Sequence, residues 1–118
     1  MAIRQKPKVY NDGVCFFANE KTEATDFNAR RNGKDKTDYE IVIRLMFAEQ
    51  SKREQDLEFA ENLGRSLSLK IKTPLVQDVN SNQKIIIDNT VYDIINLDVD
   101  RKNREIYFYL EEVRNLAE

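Results

Sequence analysis

The side chains that most often perform acid–base or nucleophilic chemistry are scarce in this chain of 118 residues. It contains no histidine, which removes the Ser–His and Cys–His nucleophile pairs and the commonest metal ligand. Cys15, the single cysteine, lies between Val14 and Phe16 in an apolar run, so we interpret it as an inert core thiol. A lone cysteine cannot form an internal disulfide, which is typical of a protein made in a reducing cytoplasm.

Two acidic groups have a spacing that resembles a functional site, and both fail on chemical grounds. Asn96, Asp98 and Asp100 match the start of a calcium loop. However, position twelve counted from Asp98 is Tyr109 instead of a bidentate glutamate, and the turn glycine is missing. The two glutamates at 111–112 are neighbours on an expected strand, so they point to opposite faces and cannot act on one bond. The three glycines cannot form a phosphate-binding loop. We therefore predict a protein that is not an enzyme and has no cofactor or metal.

Composition and charge indicate one soluble globular domain covering residues 1–118. Nineteen basic and twenty-one acidic side chains leave a net charge of −2, which excludes a strongly basic nucleic-acid binder. Residues 1–36 carry eight basic against five acidic side chains, and residues 88–118 carry four against eight. This imbalance fits either solvated surface or head-to-tail attraction between copies. With no apolar run near the roughly 20 residues that span a bilayer and no signal segment, we expect no membrane insertion, and nothing in the sequence indicates a membrane partner.

Alternating apolar residues predict a mainly β fold, a small antiparallel barrel of about six strands. In the clearest run, residues 39–48, one face is apolar: Tyr39, Ile41, Ile43, Leu45 and Phe47. Residues 66–73 alternate in the same way and stop at Pro74, which cannot donate a hydrogen bond to a sheet. The remaining strands are expected near 13–19, 84–88, 91–98 and 104–113, and the short gaps between the last three favour consecutive hairpins.

Polar segments separate the expected strands. Residues 1–8 are predicted to form a flexible basic arm, and residues 22–38 an exposed loop with a basic centre. Asp12 and Gly13 suit the positive φ angles of a tight turn before the first strand.

One short α-helix is predicted between the strands, at about residues 52–63. Ser51 and Glu54 have the spacing of a capping box at its start. Gly64 is placed to supply the left-handed residue that ends it.

An acidic residue interrupts the apolar stripe of this helix. Four apolar side chains fall within an arc of roughly 160° when the helix turns by 100° per residue: Leu57, Phe59, Ala60 and Leu63. Asp56 lies within the same arc and needs a cationic partner. That partner is either Arg53, one turn earlier, or a basic residue of a neighbouring subunit.

The closing strands carry large apolar groups on both faces. Tyr107 and Tyr109 alternate with Ile106 and Phe108. The second face must be covered, either by the helix or by another protein chain. The candidate interface residues are aromatic: Phe59, Tyr92, Tyr107 and Tyr109.

The order of these features, from about Tyr39 to Val113, resembles the head-completion (head-closure, head-tail connector or stopper) proteins of long-tailed bacteriophages. The matching segments are a strand ending in Leu45-Met46-Phe47, the helix at 53–61, the stop Lys70-Ile71-Lys72-Thr73-Pro74, Ile85-Ile86-Ile87-Asp88, Tyr92-Asp93-Ile94-Ile95 and the closing Ile106-Tyr107-Phe108-Tyr109-Leu110.

The resemblance implies a β-barrel that forms a homo-oligomeric ring below the portal and adaptor proteins after genome packaging. Such a ring closes the DNA channel and docks the tail, and it contacts the packaged double-stranded DNA without reading its sequence. The protein would be made in the bacterial host cytoplasm and would reside at the head-tail interface of the virion. In that family the segment ahead of the Thr-Pro stop closes the channel, which corresponds here to residues 49–64. Its charged candidates are Glu49, Arg53, Glu54, Asp56, Glu58 and Glu61.

Two other functions fit the same pattern. The first is another connector, tail-completion or tail-terminator protein of the same particle. The second is a small oligonucleotide-binding barrel, in which Tyr92, Tyr107 and Tyr109 stack on bases while Lys70 and Lys72 contact phosphates. For the connector, the helix is either a moving gate or a fixed brace. A helix of about twelve residues is stable only when it packs against the rest of the protein, so a change in its surroundings could dock or release it.

Overall fold

Six antiparallel strands close into a barrel in the computed structural model, which describes residues 9–20 and 39–116. In chain order the elements are β1 (Gly13–Glu20), β2 (Tyr39–Gln50), α1 (Glu54–Asn62), β3 (Leu69–Pro74), β4 (Lys84–Ile87), β5 (Thr90–Asp100) and β6 (Glu105–Asn115). Around the barrel the order is β1-β2-β3-β6-β5-β4, so the predicted mainly β fold with one inserted helix is confirmed. The expected arm at 1–8 and loop at 22–38 lie outside the described residues.

The barrel interior is filled by inward-facing residues from all six strands. Its buried members are Cys15, Phe17, Phe47, Ile71, Ile85, Ile87, Ile94, Ile106, Phe108 and Leu110. At its centre the rings of Phe17 and Phe108 lie 5.0 Å apart and are tilted by 59°. The alternation of apolar residues in the sequence therefore becomes one continuous core.

A bulge in β2 divides its apolar face in two. The pairing with β1 skips Val42, so the side chains before and after this residue are out of phase. From Ile43 onward the odd-numbered residues pack inward as predicted. Before the bulge the prediction is wrong, because Tyr39 joins a cluster on the outer face and Ile41 is 50% exposed.

A second buried cluster covers part of the outer face of the barrel. Its members are Ala18, Tyr39, Ile86, Val91 and Leu116. Leu116 follows β6, and its backbone N–H donates to the carbonyl of Asn89 at 2.7 Å. The chain itself therefore closes one part of the second apolar face.

Helix α1 starts two residues later than the sequence predicts. Its N-cap is Arg53, and Ser51 lies outside it, so the expected capping box of Ser51 and Glu54 is wrong. The carboxylate of Asp56 instead accepts a hydrogen bond from the backbone N–H of Arg53 at 3.0 Å. An aspartate that contacts the barrel thus also caps the helix.

The end of α1 is the one predicted. Gly64 adopts a left-handed conformation with φ of +72°. Its N–H donates to the carbonyl of Glu61 at 2.9 Å, and the N–H of Arg65 donates to the carbonyl of Ala60 at 2.9 Å. These two bonds form a Schellman motif, which satisfies carbonyls that the helix leaves free.

Of the two residues predicted to supply the positive φ angles of a tight turn before the first strand, Gly13 has a positive φ and Asp12 does not. The carboxylate of Asp12 accepts from the N–H of Glu49 at 2.7 Å, which ties this segment to β2. Gly13 has φ of +148°, and a Cβ atom there would lie 3.0 Å from the ring of Phe47. The close approach of this ring, as well as the backbone angle, explains the glycine.

Candidate functional site

A buried ion pair fastens α1 to the outer wall of the barrel. The carboxylate of Asp56 accepts from the Nζ of Lys70 on β3 at 2.9 Å, and the two side chains are only 6% and 7% exposed. Arg53 forms a second pair with Asp56 at 3.3 Å, but its side chain is 58% exposed. Burial raises the pKa of Asp56, but hydrogen bonds from Lys70 and Arg53 outweigh this effect, so the pKa lies below its ordinary value.

Asp56 thus has the local partner that the sequence indicates, Arg53, and a second one from the same chain. Lys70 occupies the place for which we considered a basic residue of a neighbouring subunit. Nothing in the sequence pairs residue 56 with residue 70, because the contact arises only when the helix folds back on β3.

Two of the predicted interface tyrosines lie beneath this ion pair. The Nζ of Lys70 is 5.1 Å from the ring centre of Tyr109 and 5.8 Å from that of Tyr107. Both tyrosines are half-buried, and burial raises the pKa of Tyr109. The aromatic faces stabilise the lysine charge where water is scarce. In this conformation Tyr107 and Tyr109 form the floor under α1.

Tyr92 lies elsewhere, on the inner side of β5. It packs against the barrel core and is half-buried. Burial raises its pKa, as do the nearby carboxylates of Glu112, Asp88 and Glu49. Because it points inward while Tyr107 and Tyr109 point outward, the three tyrosines do not form one stacking surface.

The large apolar residues of α1 remain exposed. Asp56 and Ala60 are its buried residues, whereas Leu57, Phe59 and Leu63 are 40%, 44% and 53% exposed. The expected stripe is therefore buried only along its centre, where the ion pair holds the helix against the wall. Exposed apolar side chains remain on both sides of this buried centre, Leu57 on one side and Phe59 and Leu63 on the other, and we call them together the helix patch (Leu57, Phe59, Leu63).

Three of the candidate channel residues add negative charge to this helix. Glu54, Glu58 and Glu61 are exposed, and none forms an ion pair with another residue that the structure describes. Glu49 is also exposed, but it precedes the helix and its N–H is bound by Asp12.

The segment after α1 is anchored as well. The guanidinium of Arg65 pairs with Glu111 and, at 3.4 Å, with Asp93. The N–H of Ser66 donates to the carboxylate of Glu111 at 3.1 Å. These contacts with Arg65 lower the pKa of Glu111. Both ends of α1 are thus held against the wall in this structure.

A further carboxylate engages the second lysine of β3. The hydroxyl of Tyr10 donates to Glu105 at 2.6 Å, and the Nζ of Lys72 lies 3.5 Å from the same carboxylate. Burial and Glu105 raise the pKa of Tyr10. Lys70 and Lys72, the phosphate contacts expected of an oligonucleotide-binding barrel, are thus both occupied by acidic partners.

Within the described ranges 9–20 and 39–116, no group of three histidine, cysteine or acidic residues is arranged to hold a metal ion. Cys15 is buried, and burial raises the pKa of its thiol to about 12. No helix in this part of the chain is long and apolar enough to cross a membrane. Comparison of the sequence with family models and with curated proteins found no match.

Proposed function

We propose that this protein is a structural subunit of a tailed-bacteriophage head-tail connector. It assembles as a ring below the portal and adaptor, closes the DNA channel after packaging and offers a docking surface to the tail. The order of elements supports this assignment, since a closed barrel carries one helix between β2 and the strand that stops at Pro74.

The observation that carries the proposal is a pair of exposed apolar surfaces with opposite charge. The helix patch is bordered by glutamates of α1. On the outer face of β2, Ile41 and Met46 are 50% and 49% exposed, and the exposed Arg44 lies between them. We call this second surface the strand patch (Ile41, Arg44, Met46). Exposed apolar groups of this size mark contact sites between proteins.

The two patches fit a contact between copies of the chain. They have unlike shapes and complementary charges, so one copy can place its helix patch on the strand patch of the next. Such a contact is heterologous and generates a closed ring when the rotation between neighbours closes. A ring subunit needs this arrangement.

The acidic surface of α1 also suits a DNA channel. Glu54, Glu58 and Glu61 would repel phosphates, so DNA could pass without adhering. Asp56, in contrast, is buried against the wall, where it pairs with Lys70, and Arg53 pairs with it from the exposed start of the helix.

A charge-swap experiment on the full chain tests the contact between copies. Arg44→Glu should weaken self-association, measured by sedimentation velocity, and combining it with Glu58→Arg should restore it. Phe59→Asp should also give monomers, while Val113→Asp, at another exposed apolar position, serves as the matched control. Electron microscopy of the assembled wild type should show rings. Monomers at every concentration, together with genes unrelated to portal, capsid or tail beside the coding sequence, would refute the proposal.

An oligonucleotide-binding barrel has weaker support, because its candidate lysines are engaged and its tyrosines are divided between the two faces of the wall. Binding of a labelled single strand at low salt, weakened as salt rises, would favour it over the connector.

A further inference from the structure

A cavity of about 540 Å³ lies under the tip of the β5–β6 hairpin. Its walls are apolar and polar in about equal parts and come from the segment after β3, the inner faces of the two strands and the turn between them. Leu75 and Val79 form one side, and Leu97, Val99 and Ile106 form the other. Ile106 is buried and Val99 is 38% exposed, so the cavity deepens from solvent toward the core. Its volume lies within the roughly 300–1,000 Å³ of ligand-binding pockets.

The rim of this cavity is positively charged. Arg101 and Arg104 line it, both are exposed, and neither forms an ion pair with a described residue. Lys102 lies between them in the same turn. The carboxylate of Asp100, the acidic residue of this turn, accepts from the N–H and side-chain amide of Asn103 at 3.1 and 2.9 Å. The guanidinium groups are thus available to an external anion.

A strand edge borders the same cavity. β4 pairs with β5 only as far as Asp93, while β5 continues to Asp100. Among the described strands, none pairs with this edge of β5 beyond Asp93. An extended peptide can add to such an edge through its backbone and place alternate side chains in an adjoining pocket.

We propose that this cavity binds an extended segment of another protein in which apolar and acidic residues alternate. The apolar side chains enter between Leu75 and Val99, the acidic ones meet Arg101 and Arg104, and the peptide backbone pairs with β5. The inference rests on the cavity and its rim, and it holds whether or not the chain forms a connector ring.

The test uses the full chain with labelled methyl groups and a synthetic probe peptide, acetyl-Leu-Asp-Leu-Glu-Leu-amide. Adding this peptide should shift the methyl signals of Leu97 and Val99 in a saturable manner. The uncharged analogue acetyl-Leu-Asn-Leu-Gln-Leu-amide should bind about tenfold more weakly, because it cannot form charged hydrogen bonds with the rim. Raising the salt concentration should narrow this difference.

Variants of the rim complete the design. Arg101→Glu combined with Arg104→Glu should weaken binding of the acidic peptide about tenfold. Arg114→Glu, a charge reversal near the opposite end of β6 from the cavity, should leave binding unchanged. Unchanged thermal unfolding in both variants confirms that the fold is intact.

Three outcomes would overturn the inference. The first is the absence of methyl shifts at millimolar peptide. The second is that the acidic and uncharged peptides bind the wild type equally well, or that the wild type and the double variant bind the acidic peptide equally well. The third is a shift of the cavity signals with protein concentration alone, which would assign the cavity to a second copy of this chain.

Discussion

Breaking the ion pair between Asp56 and Lys70 should destabilise the whole domain. Asp56→Asn keeps the size of the side chain and removes its charge, which leaves the lysine buried without a partner. Since the two side chains are only 6% and 7% exposed, the magnitudes for buried pairs apply, and the loss should be about 3 kcal/mol. A solvent-exposed pair would cost no more than about 1 kcal/mol.

The converse change should cost less. Lys70→Met leaves Asp56 with Arg53, which still neutralises the carboxylate, so we expect a loss of about 2 kcal/mol. The double variant removes both buried charges and should also lose about 2 kcal/mol, because a neutral pair of an amide and a thioether replaces the ionic one. The coupling energy between the two positions is then about 3 kcal/mol.

Urea unfolding of the four proteins measures these quantities, provided that the slope of the transition stays constant. Lys84→Met is the matched control, since Lys84 pairs with Asp93 at a site where both side chains are about 30% exposed. It should cost less than about 1 kcal/mol. Additive effects of the two single variants, or a loss below about 1 kcal/mol for Asp56→Asn, would show that the pair does not fasten the helix.

Three other predictions concern single groups. Burial raises the pKa of the Cys15 thiol to about 12, so dithionitrobenzoate at pH 8 should label this thiol only when urea unfolds the protein. Rapid labelling of the folded protein would contradict the buried position of Cys15. Gly64→Ala should lower the free energy of unfolding in urea by about 1 kcal/mol, because φ is +72° and alanine is strained there, while no neighbouring atom crowds the new Cβ. Gly64→Asn should lower it less, since asparagine tolerates this conformation, and equal losses would argue against backbone strain. The folded-state pKa of Asp56 is depressed, so its contribution to stability is present above its unfolded pKa near 4 and is lost as pH falls. The stability difference between the wild type and Asp56→Asn should shrink between about pH 5 and pH 2, and a constant difference would refute the charged state.

The strands could be predicted from the sequence because their pattern is local. Alternation locates β2 and β3, apolar runs between turn residues locate the other four strands, and Pro74 and Gly64 mark the ends of β3 and α1. The bulge at Val42 could not be predicted, since Val42 and its neighbour Ile41 are both apolar and either phase of the strand gives an apolar face. The phase of the first half of β2 is decided by pairing with β1, which is a long-range property.

The sequence predicts that Asp56 has a cationic partner, but it does not predict which residue is the buried one. The position of Asp56 in an apolar stripe indicates that a cation lies nearby, but its buried partner is fourteen residues away on another element. The choice of N-cap depends on the same contact: Lys70 holds Asp56 against the barrel, and Asp56 then caps the helix at Arg53 instead of Ser51. The tertiary ion pair between Asp56 and Lys70 thus overrides the local capping pattern of Ser51 and Glu54.

A contact between copies through the helix patch would not by itself make α1 a gate. Burying the exposed parts of Leu57, Phe59 and Leu63 on a neighbouring copy would contribute about 2–4 kcal/mol before the cost of ordering the contact. Releasing the helix from the wall separates the ion pair but lets water solvate both charges, so the pair holds the helix by less than the roughly 3 kcal/mol lost when one partner is deleted. A neighbour that binds the helix patch equally well in both positions cannot shift this equilibrium. The proposed contact between copies would therefore leave α1 on the wall, and movement would require a second ligand that binds the released helix more tightly, such as the adaptor or tail protein of the proposed connector.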